Sequence, residues 1–180
     1  MPAWDSRGVD GQPGGLTLSE GERRVLISWA TACAEQALPL FENEAPDDPR
    51  PRDAITGARA FARGDLRIGV ARALSAQAHA AARQVAAPTA AAAARAAGHA
   101  VAVAHMASHA LEAASYAARA ASLAEPEGVE AAVARSLYRA ERHASKEVRE
   151  LLGRLPPRGG AAGTSLAGLA VQLDQRFANR

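Results

Sequence analysis

An all-α fold is what this sequence predicts: one domain of about six helices bundled around a long alanine-rich central helix. Three observations carry the prediction. More than a quarter of the 180 residues are alanine, the best helix former, while aromatic residues make up only 4%. Strand-favouring Ile, Thr, Tyr and Phe are scarce, so a sheet would lack the side chains it needs. Apolar residues recur at three- and four-residue spacing, and prolines divide the chain into helix-length pieces.

Residues 1–16 hold four glycines and two prolines, which predicts a flexible tail ahead of a helical domain over 17–180. Ser19 and Glu22 have capping-box spacing, so the first helix opens near Leu18. Its buried face is Val25, Leu26, Trp29, Cys33, Ala37 and Leu40, and Pro39 ends or kinks it. Three prolines between Pro46 and Pro51 predict a rigid connector, in which Asp47 and Asp48 beside Arg50 and Arg52 read as an arginine–carboxylate clasp. The second helix spans about Arg52 to Arg63, with Gly64 as its stop.

A third helix is expected from Asp65 to Ala86, with Val70, Leu74, Ala78, Ala81 and Val85 inward. The fourth runs from Ala90 to Ala124, about 50 Å at about 1.5 Å per residue, and is the predicted centre of the bundle. Pro126 opens a fifth helix reaching Leu152. A Pro- and Gly-rich loop over 153–164 then leads to a last helix, capped by Thr164 or Ser165 and ending near Ala178.

Composition excludes several classes of function. The net charge is only +2 and the arginines are scattered, with no basic cluster interleaved with aromatics, so no nucleic-acid partner is expected. No run of 18 apolar residues exists, so no membrane span is expected. The first residues do not have the pattern of a secretory signal, which predicts a cytoplasmic protein. A single cysteine, Cys33, rules out an internal disulfide and reads as a buried, inert thiol. Gly159–Gly163 follows no strand and is no phosphate loop, and Ser28 and Ser75 have no nucleophile elbow around them. Alanine-rich faces could also pack a second copy, which keeps a homo-oligomer open.

On the fourth helix, His105, His109, Glu112, Tyr116 and Arg119 fall within about 80° of one another. Three readings of this stripe stand side by side. Two imidazoles and a carboxylate could surround a divalent metal, but the Glu of His-Glu-x-x-His is absent, as is a partner motif on another helix, so no metal and no cofactor is assigned. An acid–base or ligand pocket would bring His79 from the third helix to His105 and His109, with Glu112, Tyr116 and Arg83 in support. The third reading is a plain polar seam between helices.

Two longer segments carry a family resemblance. They are Asp47–Ile55 with Ala60-Phe61-Ala62, and Ala97–Ala110 running on to Ala114-Ser115-Tyr116-Ala117; Ala78–Arg83 fits the same pattern. The chain resembles, over roughly Leu16 to Leu152, a bacterial all-helical family named immunity-protein-five-like after its association with polymorphic toxin systems. The resemblance implies a protein that binds and neutralises a cognate toxin in the producing cell, and it defines no catalytic residues. The glycine-rich tail and the loop near Gly159 look like additions to the family pattern. This chain also lacks the acidic surface with which a protein would mimic nucleic acid towards a nuclease. The remaining alternative from the residues themselves is a small-molecule-binding protein or enzyme using the histidine pocket, one that could belong to a biosynthetic pathway.

Overall fold

Nine α-helices and no strand form among the described residues of the computed structural model, which are 18–157, 160, 162–163 and 165–178. The glycine-rich tail and Thr164 lie outside them. Helix α1 (Glu20–Glu35) starts at the predicted capping box: the Glu22 amide donates to Ser19 Oγ at 3.3 Å, and the Ser19 amide donates to Glu22 Oε2 at 2.7 Å. Its buried face includes Leu26, Ile27, Trp29, Ala30 and Cys33. The Cys33 thiol is fully enclosed, and burial pushes its pKa up to about 12, which leaves it inert as a nucleophile.

Pro39 does not merely end α1. It sits in the first turn of a separate short helix, α2 (Leu38–Glu44), where its missing N–H has no partner to lose. The predicted clasp then precedes α3 (Arg50–Arg63): Arg50 Nε donates to Asp48 Oδ1 at 2.8 Å, and Arg52 pairs with Glu42 rather than with Asp47. Gly64 closes α3 at φ 89°, a left-handed conformation that only glycine adopts cheaply.

Helix α4 (Ile68–Gln84) is where the predicted buried face must be corrected. Val70 is 47% exposed, and the buried residues are Ala71, Ser75, Ala78, Ala81 and Ala82. The face is rotated by roughly 50° from the one that side-chain size suggests. Small residues win because α4 packs closely on the alanine-rich α5, and a larger side chain there would hold the backbones apart.

The predicted 35-residue central helix is not present. It is two helices, α5 (Pro88–Ala102) and α6 (His109–Ala124), separated by a chain reversal at residues 103–108. Arg95 lies over Tyr116 and His99 reaches both Glu112 and Tyr116, a register in which the two helices run antiparallel. The reversal begins in the core, with Val103 and Ala104 fully enclosed, and comes to the surface at Met106, which is 52% exposed. Tight turn bonds hold it, the amides of Ala104 and His105 donating to the carbonyls of Val101 and Ala102 at 3.2 and 3.0 Å. From α1, Arg23 Nε donates to the Ala104 carbonyl at 2.9 Å, meeting an acceptor that the interrupted helix leaves open. The central role falls to α5 alone, which packs against α1, α2, α3, α4 and α6 and buries 10 of its 15 residues.

The predicted fifth helix is likewise divided. A 3₁₀ turn at Pro126–Gly128 leads into α7 (Val129–His143), and Ser145 then caps a new helix, α8 (Lys146–Gly153), by accepting from the Val148 amide at 3.2 Å. Last comes α9 (Leu166–Ala178), where Ser165 Oγ accepts from the Gly168 amide at 3.1 Å. Trp29 ties the later helices to the first, donating Nε1–H to the Ala140 carbonyl at 2.8 Å and meeting the Phe177 ring edge-on at 5.7 Å. No helix among the described residues is long and apolar enough to cross a membrane.

Candidate functional site: a histidine cluster at the α5–α6 reversal

The antiparallel pairing of α5 and α6 gathers side chains that are far apart on a straight helix. His99 from α5 is the hub. Its Nδ1 lies 3.1 Å from His109 Nδ1 and 2.9 Å from Glu112 Oε2, both on α6. His109 Nδ1 lies 2.6 Å from the same carboxylate oxygen. The His99 ring stacks on Tyr116 with centroids 5.1 Å apart and planes 10° apart. From α4, His79 meets His99 edge-on at 4.7 Å.

Gly98 makes the approach of α4 possible. A Cβ at that position would lie 3.0 Å from Cε1 and Nε2 of His79, tighter than a side chain can pack without displacing the ring. A residue without a side chain thus lets the His79 ring seat directly against α5, next to the residue that forms the hub.

Of the residues selected from sequence, His79, His109, Glu112 and Tyr116 come together here. His105 sits in the reversal with its ring 5.4 Å from His109. It also lines a separate cavity of about 280 Å³ with Leu18, Arg23, Met106 and Leu155. Its Nδ1 is buried without a hydrogen-bond partner among the described residues. Arg83 is exposed near the end of α4 and acts on His79 only through its charge. Sequence reasoning missed His99 and Arg95 as site residues, because a straight helix sets both about 20 Å or more along its axis from Glu112 and Tyr116. The usable signal was the sequence spacing itself: with a reversal near Ala104, positions 95, 99, 109, 112 and 116 pair.

The electrostatics follow from the packing. Hydrogen bonds from His109 and then His99 hold the Glu112 carboxyl well below the ordinary carboxylate range, against the opposing effect of burial. Burial lowers His79 from 6.5 to about 4, helped by the charges of His99, His109, Arg95 and Arg83. His105 is lowered as well, first by burial and then by His109, Arg72 and Arg23. His79 and His105 are thus held towards the neutral form beside His99 and His109, the two rings that meet the Glu112 carboxylate.

A family model described as "Imm-5 like putative immunity protein" matches residues 16–146. The chain belongs to this immunity family. No curated protein and no solved structure matches it. The family segment runs through α1–α7 and holds every residue of the histidine cluster. Helix α9 lies beyond it, yet Phe177 packs on Trp29 of the family segment.

Proposed function

We propose that this chain is the immunity member of a toxin–immunity pair, acting in the cytoplasm of the cell that makes the toxin. It binds the toxin and covers its active surface, without catalysis of its own. The family match over residues 16–146 carries this reading. The net charge of +2 narrows the mechanism, since such a chain offers no acidic decoy for a nuclease's phosphate-binding site. Neutralisation therefore works by surface complementarity, with a toxin whose matching face is neutral or acidic.

The test is co-expression in a bacterial host with the toxin candidate encoded beside this chain's gene. Growth should be rescued, and the two proteins should co-purify as a defined complex. Killing that continues at equal expression of both proteins would refute the pairing. A second reading, a small-molecule-binding protein or enzyme using His79, His105 and His109, is favoured by the convergence of His79, His99, His109 and Glu112 at one place. It would gain if rescue failed and neighbouring genes encoded metabolic enzymes.

A further inference from the structure

We propose that His99, His109 and Glu112 bind one first-row divalent transition-metal cation, which clips α5 to α6 across the chain reversal. The three candidate ligand atoms all lie within 4.8 Å of one another, and the triangle they make has edges of 3.1, 2.9 and 2.6 Å. A metal with bonds of about 2.1 Å to three mutually cis ligands separates those ligands by about 3.0 Å. The fit needs only small adjustments of side chains.

Hydrogen bonding alone serves this triangle less well. Two imidazole N–H groups can donate to Glu112 Oε2, but the remaining edge then sets two donors 3.1 Å apart. A cation at the centre is satisfied by all three atoms at once. Two imidazole nitrogens and one carboxylate oxygen suit zinc, cobalt, nickel or ferrous iron. Calcium and magnesium prefer all-oxygen sets.

The ligands are also held in place before any ion arrives. Tyr116 stacks flat on the His99 ring, and His79, seated against Gly98, meets that ring from another direction. Such support around a ligand sets its orientation. The three side chains keep 16%, 20% and 30% of their surface exposed, so an ion can enter from solvent. With three protein ligands, positions stay open for water or for a group from a partner.

This inference is independent of toxin neutralisation, because it is read on the isolated full-length chain. After chelator treatment, the protein is titrated with Zn²⁺ by calorimetry and with Co²⁺ by visible absorption. One equivalent should bind, with new Co²⁺ d–d bands and a raised melting temperature. Glu112→Gln and His109→Ala should each weaken binding by about a hundredfold or more, beyond the roughly 10–100-fold typical of losing a supporting group. His143→Ala, which removes an exposed imidazole on α7, should bind as the parent does. Far-UV circular dichroism checks folding, and the near-isosteric Glu112→Gln decides the matter if His109→Ala does not fold. Absence of stoichiometric binding, or equal binding by the folded Glu112→Gln variant, would overturn the site.

Discussion

Replacing Trp29 by alanine is expected to cost about 4 kcal/mol, the largest loss from any single side chain considered. Trp29 is 3% exposed on α1, so its removal leaves a cavity at the centre of a three-helix junction. It also leaves the Ala140 carbonyl of α7 without its indole donor and removes the edge-on partner of Phe177 on α9. A domain with a typical stability of about 5–15 kcal/mol would be left marginal. Trp29→Phe separates the terms in large part: it keeps much of the ring volume and removes the donor, for about 1–2 kcal/mol from the lost hydrogen bond. Urea denaturation followed by circular dichroism measures both. A Trp29→Ala loss below about 1 kcal/mol would mean that α7 and α9 are not anchored through this residue.

The second large effect is acid destabilisation, which starts at the histidine cluster. His79 takes up a proton near 6.5 in the unfolded chain but only near about 4 in the folded one. Between these values the unfolded state binds more protons, so stability falls as the pH drops from about 6.5 to about 4. The part-exposed ring makes this worth about 2 kcal/mol, less than the full shift would give. Glu112 adds a loss of the same sign at lower pH: its stabilising bonds are complete above about 4.5 and disappear as the carboxylate protonates. Stability curves from pH 7 to 4 for the parent and for His79→Asn test the first part. The variant should show a flatter slope above pH 4.5, and parallel curves would remove His79 as the cause.

Much of this architecture is written locally. The Ser19–Glu22 capping box, the Gly64 stop, the Asp48–Arg50 clasp and the last helix all rest on residues a few positions apart, and sequence spacing finds them. What it does not find depends on partners distant in the chain. No proline or glycine marks the reversal at residues 103–108; it is stabilised by packing of alanine faces and by Arg23, which lies 81 residues from Ala104. The break at Ala144–Ser145 is a milder case, since Ser145 is a legitimate cap that the continuing apolar period conceals. In α4, alanines outcompete Val70 for the buried face because the neighbouring helix is itself built of alanine.

The candidate site shows the same division. His109 and Glu112 share a face of α6 by local spacing, and this is legible from the sequence. His99 joins them only because the chain turns back. A helix that continued through Ala104 would instead align His105 with His109 and leave His99 remote.

Everything assigned to the cluster thus depends on that turn, and one distance measures it. Spin labels at Thr89→Cys and Ala124→Cys mark the far ends of α5 and α6, while the buried Cys33, with its pKa near about 12, stays unlabelled at neutral pH. Helices packed with axes about 8–10 Å apart place these labels within about 25 Å of each other, side-arm length included. An uninterrupted helix between the same positions would hold them about 52 Å apart. Dipolar electron paramagnetic resonance separates the two outcomes: a population below about 25 Å is the predicted result, and one centred near about 50 Å would contradict the reversal and the histidine cluster with it.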